Sequence, residues 1–231
     1  ILKNKIAGVI TRNGDKYNSE AVIITTGTFL NGLIHIGGAS YPAGRIGEKP
    51  SSGLTGALVK KGIIAGRLKT GTPPRLEKNS ISWELLEPSG GEKNPAPFSW
   101  ATKRPYNPYN IPSHIAYTNN DCHSILHNSF ELSPMFSGKI KGVGPRYCPS
   151  IEDKIFRFSD RERHQLFLEP EWKNSNQIYV NGFSTSMPKE VQLKALRAIN
   201  GLKDCKIIRP GYAVEYDYFP TKQLKASLEV K

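Results

Sequence analysis

Cysteine is scarce in this sequence, and long apolar runs are missing. The 231 residues include only three cysteines, at positions 122, 148 and 205, and no Cys-x-x-Cys pair. This excludes a disulfide framework and the usual zinc or dithiol motifs, and it fits a protein of the reducing cytoplasm with no metal site. The longest apolar stretch, residues 21–24, is only as long as a strand, so we expect no membrane span.

Two well-known glycine-rich nucleotide motifs are also missing. Neither Gly-x-Gly-x-x-Gly nor the P-loop pattern Gly-x-x-x-x-Gly-Lys-Ser/Thr occurs, so any dinucleotide fingerprint of that kind must lie outside this chain. The sequence begins with Ile1 rather than methionine and shows no secretory leader. We therefore expect a fragment of a longer protein.

Negative charge is the minority charge. Lysine and arginine number 32 against 20 aspartate and glutamate, which gives a net charge of +12. An excess of this size favours an anionic partner, such as nucleic acid or a phosphorylated cofactor, over a surface that is basic only for solubility. The cations are scattered along the chain, so their positions do not locate the contact.

The first quarter of the chain has the pattern of a layered α/β fold. Residues 5–9 and 21–25 are predicted strands, with Asn13-Gly14 as a hairpin signal between them. The second strand is almost wholly apolar and is predicted to be buried on both faces. Small residues follow at 25–28, where a ligand could approach the backbone closely. Ser51 or Ser52 is predicted to cap a helix that begins near Leu54.

The middle of the chain alternates basic, irregular and helical patterns. Residues 66–75 read as a basic turn whose three cations suit a phosphate, and residues 87–112 are rich in residues that resist regular structure. A helix is predicted over 119–130, with Thr118 or Asn119 as cap. His123 and His127 stand at i and i+4 in it, a spacing that a metal site uses, but a solvated polar face explains them better.

The last quarter contains short strands and one amphipathic helix. Strands are predicted at 165–169, 177–180 and 206–208, the last of these as the final strand, and a helix is predicted over 189–199 with a stop at Gly201. Residues 209–219 are dense in aromatic side chains. These rings either line a planar ligand such as a flavin or a base, or pack between domains.

The segment around Cys148 has the composition of a reactive site. Pro145 and Pro149 bracket the thiol, which disfavours helix and predicts a constrained loop. Arg146 and Lys154 add positive charge, which lowers the pKa of a nearby thiol. The alternative is that Cys148 is a small buried apolar residue, as most lone cysteines are.

Several of these motifs together resemble one family. Residues 144–158, 26–32, 34–37, 66–75 and 209–217 are similar to the corresponding motifs of the MnmG (GidA) proteins, and the resemblance covers essentially the whole chain. It implies a flavoprotein with two dinucleotide-binding domains, of the glutathione-reductase type. FAD-domain segments at 1–75 and 206–231 would then flank an inserted NAD-type domain at 76–205.

The resemblance also implies an activity. The family are FAD-dependent enzymes that act with a GTPase partner, usually called MnmE, and add a carboxymethylaminomethyl group to C5 of the wobble uridine of certain tRNAs. They use NADH to reduce the flavin and methylene-tetrahydrofolate as carbon donor, and they work as homodimers. A piece that lacks the main FAD fingerprint and the tRNA-binding region is expected to be inactive alone.

Site residues follow from the same resemblance. Ser51 corresponds to a family FAD contact, and Cys148 to one of two functional cysteines, the other lying outside this chain. The family's NAD-associated signature corresponds to Gly144, Pro145, Arg146, Tyr147, Cys148, Pro149, Ser150, Ile151, Glu152, Asp153, Lys154, Ile155, Phe156, Arg157 and Phe158.

The chemistry that the resemblance implies leaves several roles open. Cys148 would act as nucleophile on the uracil or as the base that removes the C5 proton. Glu152 or Asp153 would orient that base or exchange protons, or would form ion pairs with Lys154 or Arg157. Two alternatives to the whole interpretation are a relative of the folate-dependent tRNA uridine methyltransferase and a non-catalytic module that binds tRNA or a partner protein.

Overall fold

The computed structural model describes residues 5–144 and 149–231 as a mixed α/β chain. It contains four α-helices, which are α1 (Leu54–Val59), α2 (Asn120–His127), α3 (Ile151–Arg157) and α4 (Lys189–Arg197). Twelve strands are described: β1 (Gly8–Ile10), β2 (Lys16–Asn18), β3 (Leu33–Ile36), β4 (Ala39–Pro42), β5 (Gly66–Thr72), β6 (Arg75–Glu77), β7 (Glu87–Ser89), β8 (Ser113–Tyr117), β9 (Gln165–Pro170), β10 (Gln177–Asn181), β11 (Ile207–Arg209) and β12 (Tyr212–Tyr218).

The larger sheet has six strands in the order β11-β6-β10-β9-β8-β7, and all its neighbours are antiparallel. Alternation along β9 and β10 places Leu166, Leu168, Ile178 and Val180 in the main core, fully buried. The apolar sides of α2, α3 and α4 enter the same core. Burying such faces against each other is the dominant stabilising contribution to a layered domain.

The smaller sheet has four antiparallel strands in the order β4-β3-β12-β5. Its own small core contains Ile34, Ala43, Tyr212 and Val214. The chain passes from this sheet to the larger one between β5 and β6 and returns between β11 and β12. Because β6 and β11 are paired with each other, the two crossings lie side by side.

Several sequence predictions are confirmed. Asn119 caps α2 by accepting the N–H of Cys122 at 2.9 Å. The two strands β9 and β10 and the helix α4 lie within a few residues of their predicted bounds. The prediction that residues 87–112 resist regular structure is confirmed for 90–112, which contain no helix or strand, but 87–89 form the edge strand β7.

The prediction of a doubly buried strand at residues 21–25 is wrong. Asn13-Gly14 does form the turn of a hairpin, with Gly14 at φ 90°, but the strand after it is β2. Residues 21–25 adopt no strand, and Ile23 is 86% exposed. A buried strand needs neighbours on both sides, and the described residues supply none here.

Three other predictions are corrected. Residues 66–72 form the strand β5 rather than a turn, because they pair along their whole length with β12. The strand near Ile208 is not the last one, since the aromatic-rich stretch after it is β12, at the centre of the smaller sheet. Helix α1 begins at Leu54 as predicted, but Gly53 is its N-cap and no serine side chain caps it.

Candidate functional site

The predicted cofactor signature runs from the edge of the smaller sheet into helix α3. Pro145, Arg146, Tyr147 and Cys148, and with them the predicted loop around the thiol, lie outside the described residues. Gly144 lies on the near side, and Pro149 on the far side leads into α3. Ser150 and Asp153 form a capping box at the start of that helix, with the Ser150 hydroxyl accepting the Asp153 N–H at 3.2 Å.

The members of the signature in α3 divide into core and surface residues. Ile151, Glu152 and Ile155 are buried in the protein, whereas Phe156 is 63% exposed, and Phe158, just after the helix, is 46% exposed. Any cofactor that the helix contacts must therefore meet its exposed members. The ion pair expected within this segment is present between Asp153 and Arg157, with 3.9 Å between Oδ1 and Nε.

Glu152 is a fully buried carboxyl group. Its Oε1 accepts the hydroxyl of Thr185 at 2.7 Å and the N–H of Ser186 at 3.0 Å, while no described residue forms a hydrogen bond with its Oε2. Burial raises the pKa of Glu152, and these hydrogen bonds and the charge of Lys69 only partly oppose that effect. Glu152 thus attaches the start of α3 to the loop before α4.

A second buried carboxyl group holds the chain just before the signature. Oε1 of Glu215 on β12 accepts the N–H of Lys141 at 2.9 Å and that of Gly142 at 2.7 Å. Its Oε2 lies 2.8 Å from Nε2 of His35, whose Nδ1 is 2.8 Å from the hydroxyl of Ser40. Burial opposes ionisation of Glu215, but the Gly142 N–H, His35 and the Lys141 N–H outweigh it, so its pKa lies below the ordinary value.

Backbone contacts with β5 complete this attachment. The N–H of Lys69 donates to the carbonyl of Val143 at 3.0 Å, and Leu68 and Val143 form a parallel bridge. A side chain on Gly142 would meet the backbone of Leu68 at 2.9 Å, which explains glycine there. Both described ends of the signature segment are therefore attached to the body of the protein by buried carboxylates and backbone pairing.

Ser51, the predicted FAD contact, lies on a loop tied to the same strand β12. Its backbone pairs with Phe29 and Asn31 at 2.8 Å each, and its side chain is exposed. The Asn31 side chain donates to Asp217 at 2.5 Å, and Arg67 donates to the other oxygen of Asp217 at 2.7 Å.

Because side chains alternate along a strand, Glu215 and Asp217 lie on one face of β12. That strand therefore connects the Ser51 loop with the start of the signature. Sequence reasoning missed the roles of His35, Glu215 and Asp217, although the polar positions within an otherwise apolar strand were a visible signal.

The basic segment of residues 66–75 is not open to a phosphate as predicted, because its cations are used within the chain. Arg67 pairs with Asp217, and Nε of Arg75 donates to Glu171 at 2.7 Å. Lys69 is 4% exposed, with its Nζ 4.0 Å from Oδ2 of Asp153.

Two of the three cysteines are core residues. Cys122 and Cys205 are fully buried, and burial raises the pKa of Cys122 to about 12 and that of Cys205 to about 11. Thiols of this kind are unreactive at neutral pH. Within residues 5–144 and 149–231, no group of three or more His, Cys, Asp or Glu side chains could hold a metal ion. His123 instead lies 2.7 Å from the hydroxyl of Thr118.

Comparisons with known proteins agree along the whole chain. The family model described as glucose inhibited division protein A matches residues 1–231. A protein of Thermodesulfovibrio yellowstonii named tRNA uridine 5-carboxymethylaminomethyl modification enzyme MnmG is 52% identical over 98% of this chain and 36% of its own length. A protein of the same name from Cytophaga hutchinsonii is 50% identical over 100% of this chain and 37% of its own length.

Solved structures show the same relationship. The structure of Aquifex aeolicus GidA in its form I crystal superposes with a TM-score of 0.91 at 45% identity, and the match covers 100% of this chain and 40% of that one. This chain spans a little over a third of the length of the curated relatives it matches. Among the described residues, no helix is both long and apolar enough to cross a membrane.

Proposed function

We propose that the protein containing this chain is an enzyme that modifies a uridine in tRNA, because the chain belongs to the glucose inhibited division protein A family. The observation that carries the proposal is identity of about 50% along the whole chain to proteins named for that activity. The net charge of +12 supports it, because a basic protein attracts a polyanion.

The finer proposal is addition of a carboxymethylaminomethyl group to C5 of the wobble uridine, with FAD, NADH and methylene-tetrahydrofolate. We also propose that the protein forms a homodimer, acts with a GTPase partner of the MnmE type and is located in the cytoplasm. In this arrangement the chain is the middle of a glutathione-reductase-type flavoprotein, with FAD-domain segments at 1–75 and 206–231 around an NAD-type domain at 76–205. The two sheets support this division, since their strands separate close to these bounds.

The described residues around Ser51 fit a flavin contact. The Ser51 side chain is exposed, and the positions above Gly27 and Gly53 are open, with no atom within 4 Å of where a Cβ would lie. A ligand can therefore approach this backbone closely. When bound, FAD would supply the hydride chemistry, and Ser51 with the Gly27 and Gly53 backbone would help to hold it.

The residues proposed for the uridine chemistry are those of the signature. Cys148 is proposed as the thiolate that adds to C6 of the uracil, which makes C5 nucleophilic, or as the base that takes the C5 proton. The buried carboxylates Glu152 and Glu215 would hold the two ends of its segment in place. The burial of Cys122 and Cys205 supports this choice of thiol, since neither can reach a substrate.

The test uses the full-length protein with Cys148→Ser and Cys148→Ala. We expect both variants to keep the bound-flavin absorbance and to lose the modified nucleoside in tRNA digests analysed by mass spectrometry. Modification at the wild-type level would refute the role of Cys148. If the variants still bind tRNA and the wild-type protein itself shows no flavin-dependent modification, a non-catalytic tRNA-binding module is the better interpretation. The isolated chain is expected to bind little FAD and to be inactive.

A further inference from the structure

A cavity of about 520 Å³ lies where the chain crosses between the two sheets. Its walls come from the start of β6, the ends of β9 and β11, strand β10 and the loop after β4. Three arginines line it, Arg45, Arg75 and Arg209, together with the rings of Trp172 and Tyr179. None of its lining residues belongs to the cofactor signature or to the Ser51 segment. Its volume is in the range of small-molecule sites, which occur preferentially between structural units.

Arg75 forms a rigid wall of this cavity. Its guanidinium donates to Glu171 at 2.7 Å, to the Thr72 hydroxyl at 2.5 Å and to the Pro73 carbonyl at 2.7 Å. The same group lies 4.7 Å from the centre of the Tyr179 ring. These contacts fix the orientation of the Arg75 and Tyr179 side chains, and they pair the negative charge of Glu171 with Arg75.

Arg209 lies opposite Arg75 in the pairing of β11 with β6. Like charges directly opposite each other destabilise a sheet. Neither neighbouring carboxylate pairs with Arg209, since Glu171 is bound to Arg75 and Glu169, which keeps its charge, accepts the Asn181 amide at 3.3 Å. Among residues 5–144 and 149–231, nothing forms an ion pair or a side-chain hydrogen bond with Arg209.

Arg45 adds a second cation from the loop after β4. It pairs with Glu48, yet 64% of its side chain remains exposed. Trp172 is also 54% exposed beside these cations, which is high for so large an apolar ring. An accessible aromatic face next to an arginine without an acidic partner is the combination that proteins use for nucleotides, with stacking for the base and guanidinium groups for the phosphate.

We propose that this cavity binds a nucleoside phosphate, with Arg209 and Arg45 holding the phosphate and Trp172 stacking on the base. The location comes from the cavity, and the candidate ligands rest on the function proposed above, whose cofactor and substrate they are. Two sources supply the same chemistry, a free dinucleotide such as NADH and a nucleotide of an RNA strand.

The test measures binding to the full-length protein by isothermal titration calorimetry, with NADH and with a 17-nucleotide anticodon stem–loop as probes. We expect Arg209→Gln and Trp172→Ala each to lower the affinity for at least one of the two probes about tenfold or more. The control Arg12→Gln removes the same charge from an exposed turn and should change neither affinity. Loss of NADH alone identifies the free dinucleotide, loss of the RNA alone identifies a tRNA nucleotide, and loss of both indicates one site that the two share.

The proposal is overturned if the wild-type protein binds neither probe. It is also overturned if Arg209→Gln and Trp172→Ala bind both probes with affinities within twofold of wild type. Melting temperatures show whether each variant is folded. If Arg209→Gln does not fold, Arg45→Gln decides instead, because that side chain is exposed and its removal leaves the core intact. The uridine function is judged separately, by tRNA modification in the wild-type protein.

Discussion

Replacing Glu215 should free the chain immediately before the signature. In Glu215→Ala, the N–H groups of Lys141 and Gly142 and the ring of His35 all lose a buried partner. The ring of His35 is buried, and leaving it unsatisfied costs about 1–3 kcal/mol, whereas the N–H groups of the exposed Lys141 and the half-buried Gly142 can turn to water and lose about 1 kcal/mol each. Allowing for local relaxation, we expect the free energy of local opening to fall by about 3–4 kcal/mol.

Glu215→Gln separates the charge from the hydrogen bonds. Its amide oxygen can still accept both N–H groups, and His35 can change tautomer to accept from the amide nitrogen. Only the charge assistance is lost, so we expect a cost of about 1 kcal/mol. Because the pKa of Glu215 lies below 4.5 in the folded protein, the charge contributes fully above about pH 4.5, and its contribution disappears as the pH falls through the folded-state pKa.

The assay is hydrogen exchange of the full-length protein at neutral pH, followed by mass spectrometry of peptides that cover residues 139–144. Glu215→Ala should speed exchange of amides 141 and 142 by about 10² to 10³-fold, and Glu215→Gln by about fivefold. The matched control is Glu229→Ala, a 71% exposed carboxylate whose pair with Lys225 is worth little. Unchanged exchange at 141 and 142 in a folded Glu215→Ala protein would refute the reasoning.

Two further predictions follow from other buried groups. Burial raises the pKa of Glu152, so its ionisation reduces stability as the pH rises above about 4.5, by about 1.4 kcal/mol for each unit of the shift. We therefore expect the free energy of unfolding of Glu152→Gln, measured by urea denaturation, to rise relative to that of wild type from pH 5 to pH 8. An equal difference between the two proteins at both pH values would contradict this. Cys122 and Cys205 should react with iodoacetamide at least about 100-fold more slowly in the folded protein than in urea, given their raised pKa values; fast labelling of either, located by mass spectrometry, would show that it is accessible.

Helix α4 and the cap of α2 could be predicted from the sequence because both depend on near neighbours. The apolar spacing of residues 189–199 is visible in any window of the chain, and Asn119 needs only the N–H three residues ahead to act as a cap. The signature around Cys148 was recognised for a similar reason, since its residues are contiguous.

Strand β12 shows what local patterns could not predict. Its aromatic residues suggested a ligand wall or a domain contact, yet pairing with β3 and β5 makes it the centre of the smaller sheet. The error at residues 21–25 has the same origin, because an apolar run becomes a buried strand only where partners cover it.

The sequence by itself therefore determined the elements that depend on near neighbours, the family and the position of the candidate thiol. Only the tertiary structure decided which charges are buried, paired or accessible. Glu215 and Lys141 are 74 residues apart, and Arg209 meets Arg75 only through sheet pairing. The energetics of a charged group depend on the solvent and partners around it, and those are fixed by contacts between distant parts of the chain.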